Sequence, residues 1–154
     1  MTLKIGDPVP AVTPLDAEGA ALPLTGLVGQ PFVVYFYPKA DTPGCTTEAQ
    51  DFTRLADQYA AHGAQVIAVS RDTPAKLCKF RDKYGLTVRL AADADEATCE
   101  AFGTWVEKSM YGRSYMGVER STFLFDATGK LAAEWRGVKV KGHAEAVLEA
   151  LKAL

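Results

Sequence analysis

Hydrophobic positions along the chain fall into short runs and periodic stripes, and each spacing predicts an element. Residues 32–37, "FVVYFY", form an unbroken run of β-branched and aromatic side chains, the pattern of a strand buried on both faces. "AQVIAVS", residues 64–70, predicts a second such strand. Between them Phe52, Leu55, Ala56 and Tyr59 recur at i, i+3, i+4 and i+7, the stripe of one amphipathic helix that Gly63 ends. "TPAKLCKFRDKYG" predicts a second helix, with Thr73 as N-cap, Pro74 in the first helical position and Gly85 beyond its end. A weaker strand over 88–90 and a short helix over 95–102 follow. The polar stretch 107–119 reads as a long loop. "RSTFLFDATGKLAAEWRG" reads as two strands around a turn at 126–129, and "LDAEGAAL" around Gly19 as a hairpin or loop. Ala144, Val147, Leu148 and Leu151 mark one face of a closing helix. An order of βαβα, then a hairpin and a last helix, predicts an α/β three-layer sandwich with a mixed central sheet.

Length and composition narrow the picture without changing it. The 154 residues suit one domain, 1–154, with no repeat, low-complexity tract or linker to divide it. A net charge of -2 gives no general attraction to nucleic acid or to an anionic membrane. No apolar run approaches the roughly 18 residues of a membrane-spanning helix. The opening "MTLKIGDPVP" lacks the apolar core of a signal peptide, so cytoplasm is the expected location. Three cysteines with no CxxC argue against both a disulfide framework and a zinc site. His62 and His143 stand far apart and read as solvated helix-end residues, so no metal site is expected.

Candidate chemistry begins at "TPGC". With Thr42 as N-cap, Pro43 falls at N1, Gly44 at N2 and Cys45 at N3. The Cys45 sulfur would then lie beside unpaired amides at the positive end of a helix, a setting that stabilises a thiolate. Complete ionisation of an ordinary thiol raises its thiolate fraction at neutral pH only about thirty-fold. A fast thiol enzyme therefore needs a second group that polarises the substrate, and an arginine suits that task. Position alone leaves a reactive Cys45 and an inert first-turn cysteine equally open.

"FYPKADTPGCT" resembles the active-site segment of the peroxiredoxins, most closely the bacterioferritin-comigratory or Q-type branch. Pro38, Thr42 and Cys45 match that family's Pro-x-x-x-Thr/Ser-x-x-Cys pattern, and "GVERSTFLFD" supplies its later arginine as Arg120. "FGTWVEKSMYGRSY" also resembles the stretch before that arginine, and the likeness runs from about residue 3 to the C-terminus. The resemblance implies a thioredoxin-like fold and a thiol peroxidase that reduces hydrogen peroxide and organic hydroperoxides without metal, haem or other cofactor. It implies thioredoxin or a similar dithiol as reductant, and a monomer. Cys45 would be the peroxidatic residue, oxidised to a sulfenic acid. Thr42 would hydrogen-bond the peroxide and orient the thiolate, and Arg120 would stabilise the thiolate and the leaving oxygen. Pro38 would shield the pocket, while the Gly44 and Cys45 amides would donate to the peroxide oxygens. Arg113 and Lys108 read as solvated loop charges.

Many members of that branch keep a resolving cysteine five residues after the first, where this chain has Gln50. Cys99 lies three residues before Phe102 on one helical face and reads as a small buried hydrophobe. Cys78 stands about 100° around its helix from Leu77, away from Phe80 and Tyr84, at a flank where a thiol can react. Some branch members carry their resolving cysteine in this helix, which makes Cys78 the candidate. Joining it to Cys45 needs Cα atoms within about 7 Å, so the first turn after Thr42 would unwind. A one-cysteine mechanism with an external thiol, resolution by Cys99, and a non-enzymatic redox sensor on the same fold are the alternatives.

Overall fold

The computed structural model describes residues 3–154. The strands are β1 (Leu15–Asp16), β2 (Phe32–Phe36), β3 (Gln65–Ser70), β4 (Arg89–Ala92), β5 (Trp105–Met110), β6 (Arg113–Val118), β7 (Ser121–Phe125) and β8 (Leu131–Trp135). The α-helices are α1 (Pro43–Arg54), α2 (Ala56–Ala61), α3 (Pro74–Tyr84), α4 (Ala97–Ala101) and α5 (His143–Lys152). A 3-10 turn occupies Leu24–Leu27.

One six-stranded sheet runs in the order β1-β4-β3-β2-β7-β8. β2, β3 and β4 are mutually parallel, whereas β7 pairs antiparallel with β2, β8 with β7 and β1 with β4, so the sheet is mixed. All five residues of β2 are buried, and the pleat sends alternate side chains to opposite faces. Val33 and Tyr35 join the cluster under α1, α2, α3 and α5. Phe32, Val34 and Phe36 join a second cluster with Phe102, Phe123, Phe125, Leu24 and Leu27. Burial on both faces is why the sequence run is continuous rather than alternating. Phe52 of α1 is fully buried and stacks on Tyr35 with ring centroids 4.7 Å apart. Truncating such a side chain to alanine costs about 3–5 kcal/mol.

α3 follows its capping signals closely. Thr73 accepts from the Lys76 amide at 3.3 Å, and Gly85 ends the helix in the left-handed region at φ 60°. The weak strand foreseen over 88–90 is β4, which begins at Arg89 and continues to Ala92. The single helix foreseen through Tyr59 is interrupted at Leu55, which separates α1 from α2.

Two sequence expectations fail outright. The stretch 107–119 is not a loop but most of the β5–β6 hairpin, closed by Tyr111 and Gly112 at φ 52° and 77°. Positive φ at both central residues is the two-residue turn that matches strand twist. The hairpin stands with both faces largely in solvent, so its sequence lacks the apolar alternation that marks a half-buried strand. His143 does begin a helix, but it is buried rather than solvated, and its Nε2 lies 2.7 Å from Thr122 Oγ1. Burial, with a smaller contribution from the Arg120 charge, pushes its pKa down to about 4. His62 is exposed, as expected.

Candidate active site

β2 delivers the chain into the segment 37–42 at its C-terminal end, and α1 starts at Pro43. The first helical hydrogen bond runs from the Thr46 amide to the Thr42 carbonyl at 2.8 Å, which leaves the Gly44 and Cys45 amides without a helical acceptor. Thr42 occupies the N-cap with extended backbone, but its hydroxyl does not cap. It donates instead to the Lys39 carbonyl at 2.7 Å, and this fixes where its lone pairs point. Cys45 follows at N3 with its side chain buried.

Sheet register brings the arginine to this cysteine. β7 runs antiparallel to β2 with Ser121 opposite Phe36, so Arg120 arrives beside the end of β2 where the 37–42 segment begins. Its Nη2 donates to Cys45 Sγ at 3.3 Å, and its Nη1 donates to Glu48 Oε1 at 2.7 Å. A Cβ built on Gly44 would stand 3.3 Å from Arg120 Nη2, so glycine there permits the guanidinium its close approach.

A further residue, Glu48, completes the site, and nothing local in the sequence marks it. It lies one turn after Cys45 on α1, only 1% exposed, with Oε1 on Arg120 and Oε2 without a partner. Burial pushes its pKa up to about 7 despite the nearby Arg120 charge. A glutamate three residues after a first-turn cysteine resembles ordinary helix surface, and only the contact with Arg120, distant in sequence, marks it. Beneath the site Tyr35 is fully buried, and that burial holds its hydroxyl protonated, its pKa raised well above the ordinary value.

The 37–42 segment is tied on its outer side to α3. Asp41 adopts the left-handed conformation at φ 60°, and its carboxylate accepts from Lys83 Nζ at 2.9 Å and from the Tyr84 hydroxyl. Asp72 Oδ2 accepts from the Ala40 amide and from Ser70 Oγ, both at 2.8 Å. Pro38 is exposed at the start of the segment.

Of the residues expected to act together, Cys45, Arg120 and the Gly44 amide converge, with Thr42 at the cap beside them. Cys78 does not join them. All three cysteines are free thiols. Cys78 is half-buried, with its Sγ donating to the Ala17 carbonyl at 2.9 Å and Arg81 Nη2 3.8 Å away. Cys99 is fully buried on α4, and burial, then the neighbouring Asp93, pushes its thiol well above the ordinary range. Gln50 is exposed, and Arg113 and Lys108 lie on the β5–β6 hairpin with Arg113 exposed.

Comparison with known proteins matches residues 5–134 to the AhpC/TSA family model. Peroxiredoxin Bcp of Xanthomonas campestris is 46% identical over 94% of this chain and 93% of its own length. Peroxiredoxin Bcp of Bacillus subtilis is 43% identical over 99% of this chain and 97% of its own. The solved structure of the Xanthomonas campestris bacterioferritin comigratory protein, described with its alkyl peroxide reduction activity, superposes with a TM-score of 0.91 at 42% identity, covering 98% of this chain and 96% of that one. No helix among the described residues is long and apolar enough to cross a membrane.

Proposed function

The chain belongs to the AhpC/TSA family and is a peroxiredoxin, a thiol-dependent peroxidase with a thioredoxin-like fold; from that premise we propose that Cys45 is its peroxidatic residue, acting on hydrogen peroxide and organic hydroperoxides. The observation that carries this assignment is the 3.3 Å contact of Arg120 Nη2 with a sulfur seated in the first turn of α1. The Cys45 thiolate attacks the terminal oxygen of the peroxide. An S–O bond forms as the O–O bond breaks, the sulfur is oxidised by two electrons to a sulfenic acid, and the leaving alkoxide takes up a proton to depart as alcohol or water. Arg120 carries a fixed positive charge to both the thiolate and the leaving oxygen. The Gly44 and Cys45 amides donate to the peroxide oxygens. Thr42 Oγ1, whose proton is committed to Lys39, accepts from the peroxide hydroxyl. Pro38 covers the entrance.

The sulfenic acid is then resolved by Cys78. Its S–H and the Cys45 S–OH condense, forming one S–S bond and releasing water, and a dithiol protein such as thioredoxin reduces the product. The chain acts as one peroxiredoxin domain over 1–154, as a monomer, in a reducing compartment such as the cytoplasm. Peroxide consumption with thioredoxin, its reductase and NADPH, run on each Cys→Ser variant, tests the assignment. Cys45→Ser should abolish turnover, since a serine hydroxyl is not ionised at neutral pH. Retained turnover in that variant would remove Cys45 from the reaction.

A further inference from the structure

We propose that Asp41 is a positioning residue, a latch from the segment before α1 to the last turn of α3 whose release sets the rate of resolution. The inference rests on the reading of Cys78 as the resolving thiol. The latch joins the helix that carries Cys78 to the segment that must move for Cys45 to reach it. Asp41 is one of only three non-glycine residues at positive φ among the described residues, and its carboxylate gathers a lysine and a tyrosine hydroxyl on adjacent positions of α3. A second tie, from the Ala40 amide to Asp72, anchors the same segment to the turn that precedes α3.

The attacking geometry exists only while the first turn of α1 is wound, because the Gly44 and Cys45 amides and the Arg120 contact depend on that turn. Disulfide formation requires the opposite, since the Cys78 thiol is engaged with Ala17 and the sulfur of Cys45 is buried beside Arg120. Exposed ion pairs are individually weak, and Asp41 and Lys83 are 44% and 58% exposed. A weak latch suits this position, for it biases the equilibrium towards the wound state without locking it. Weakening it should leave the wound state dominant, so the peroxide step changes little. The unwound state is the minor one, and resolution speeds up in proportion to its population.

Asp41→Asn is the clean variant, because asparagine tolerates the left-handed conformation while losing the charge. The peroxide step, followed by stopped flow, should stay within about two-fold of the natural protein, while Cys45–Cys78 disulfide formation accelerates about three-fold or more. The fraction of Cys45 driven to sulfinic acid by excess peroxide should fall accordingly. Lys83→Met should act in the same direction, and the double variant should be less than additive, since both changes break one contact. Exchange of the Thr46 amide, whose bond to the Thr42 carbonyl closes the first turn of α1, should quicken in reduced Asp41→Asn whether or not Cys78 resolves. Unchanged exchange overturns the latch. Quickened exchange with an unchanged resolution rate overturns its role in turnover. A natural protein that forms no Cys45–Cys78 disulfide brings down the Cys78 reading instead, and the exchange measurement then decides the latch alone.

Discussion

Arg120 sets two nitrogens of one rigid plane on two acceptors, the Cys45 sulfur and the Glu48 carboxylate. A lysine ammonium carries the same charge from a single point and cannot span both. Arg120→Lys should therefore slow Cys45 oxidation at least about tenfold, a loss of about 1.4 kcal/mol in transition-state stabilisation, measured by stopped-flow fluorescence. Arg113→Ala, on the exposed hairpin, serves as control and should leave that rate unchanged. Glu48 holds its proton more tightly in the folded protein than in the unfolded chain. Its contribution to stability is therefore complete below the ordinary value of 4.5 and is lost as pH rises through about 7. Thermal unfolding at pH 4.5 and at pH 7.5 should show the natural protein losing ground to Glu48→Gln across that interval. A constant difference between the two proteins would contradict the buried acid.

At the scale of elements, α3 carries the clearest consequence. Cys78→Ser should reduce one equivalent of peroxide, then stall with thioredoxin and accumulate oxidised Cys45, whereas Cys99→Ser should cycle normally. Non-reducing peptide maps of peroxide-treated protein decide between them, and a Cys45–Cys99 crosslink would reverse the assignment. What could be read in advance depended on local signals. β2 announced itself because burial on both faces leaves no polar interruption, and α3 because its cap residues are adjacent in sequence. The β5–β6 hairpin stayed hidden, since strands with both faces largely in solvent need no apolar alternation. Thr42 is legible as N-cap from its place before Pro43, but the direction of its hydroxyl depends on the Lys39 carbonyl, which no capping rule includes. Arg120 came from family resemblance and Glu48 not at all, because the pair meets only through the register of β7 on β2.

Across the whole molecule, α5 closes the helical layer over the sheet with Ala144, Val147, Leu148 and Leu151 in the same core as Cys45, as its stripe foretold. Its first residue, His143, touches Thr122, and its ring meets both Phe52 and Trp135 edge-on. A histidine with a depressed pKa stabilises the fold fully above its ordinary value of 6.5, and that contribution is lost as pH falls towards about 4. Trp135 stands 5.8 Å from this imidazole, centroid to centroid. A charged imidazole quenches a neighbouring indole by accepting an excited electron, whereas a neutral one quenches far less. The pair is thus a built-in optical gauge of the junction between α5 and the sheet. Its emission should stay bright from neutrality down to about pH 5 and dim with a midpoint near 4, and Trp135→Phe should erase that titration. The other tryptophan, Trp105, lies under the permanently charged Arg71, 5.4 Å from its guanidinium carbon, and should contribute only a steady background.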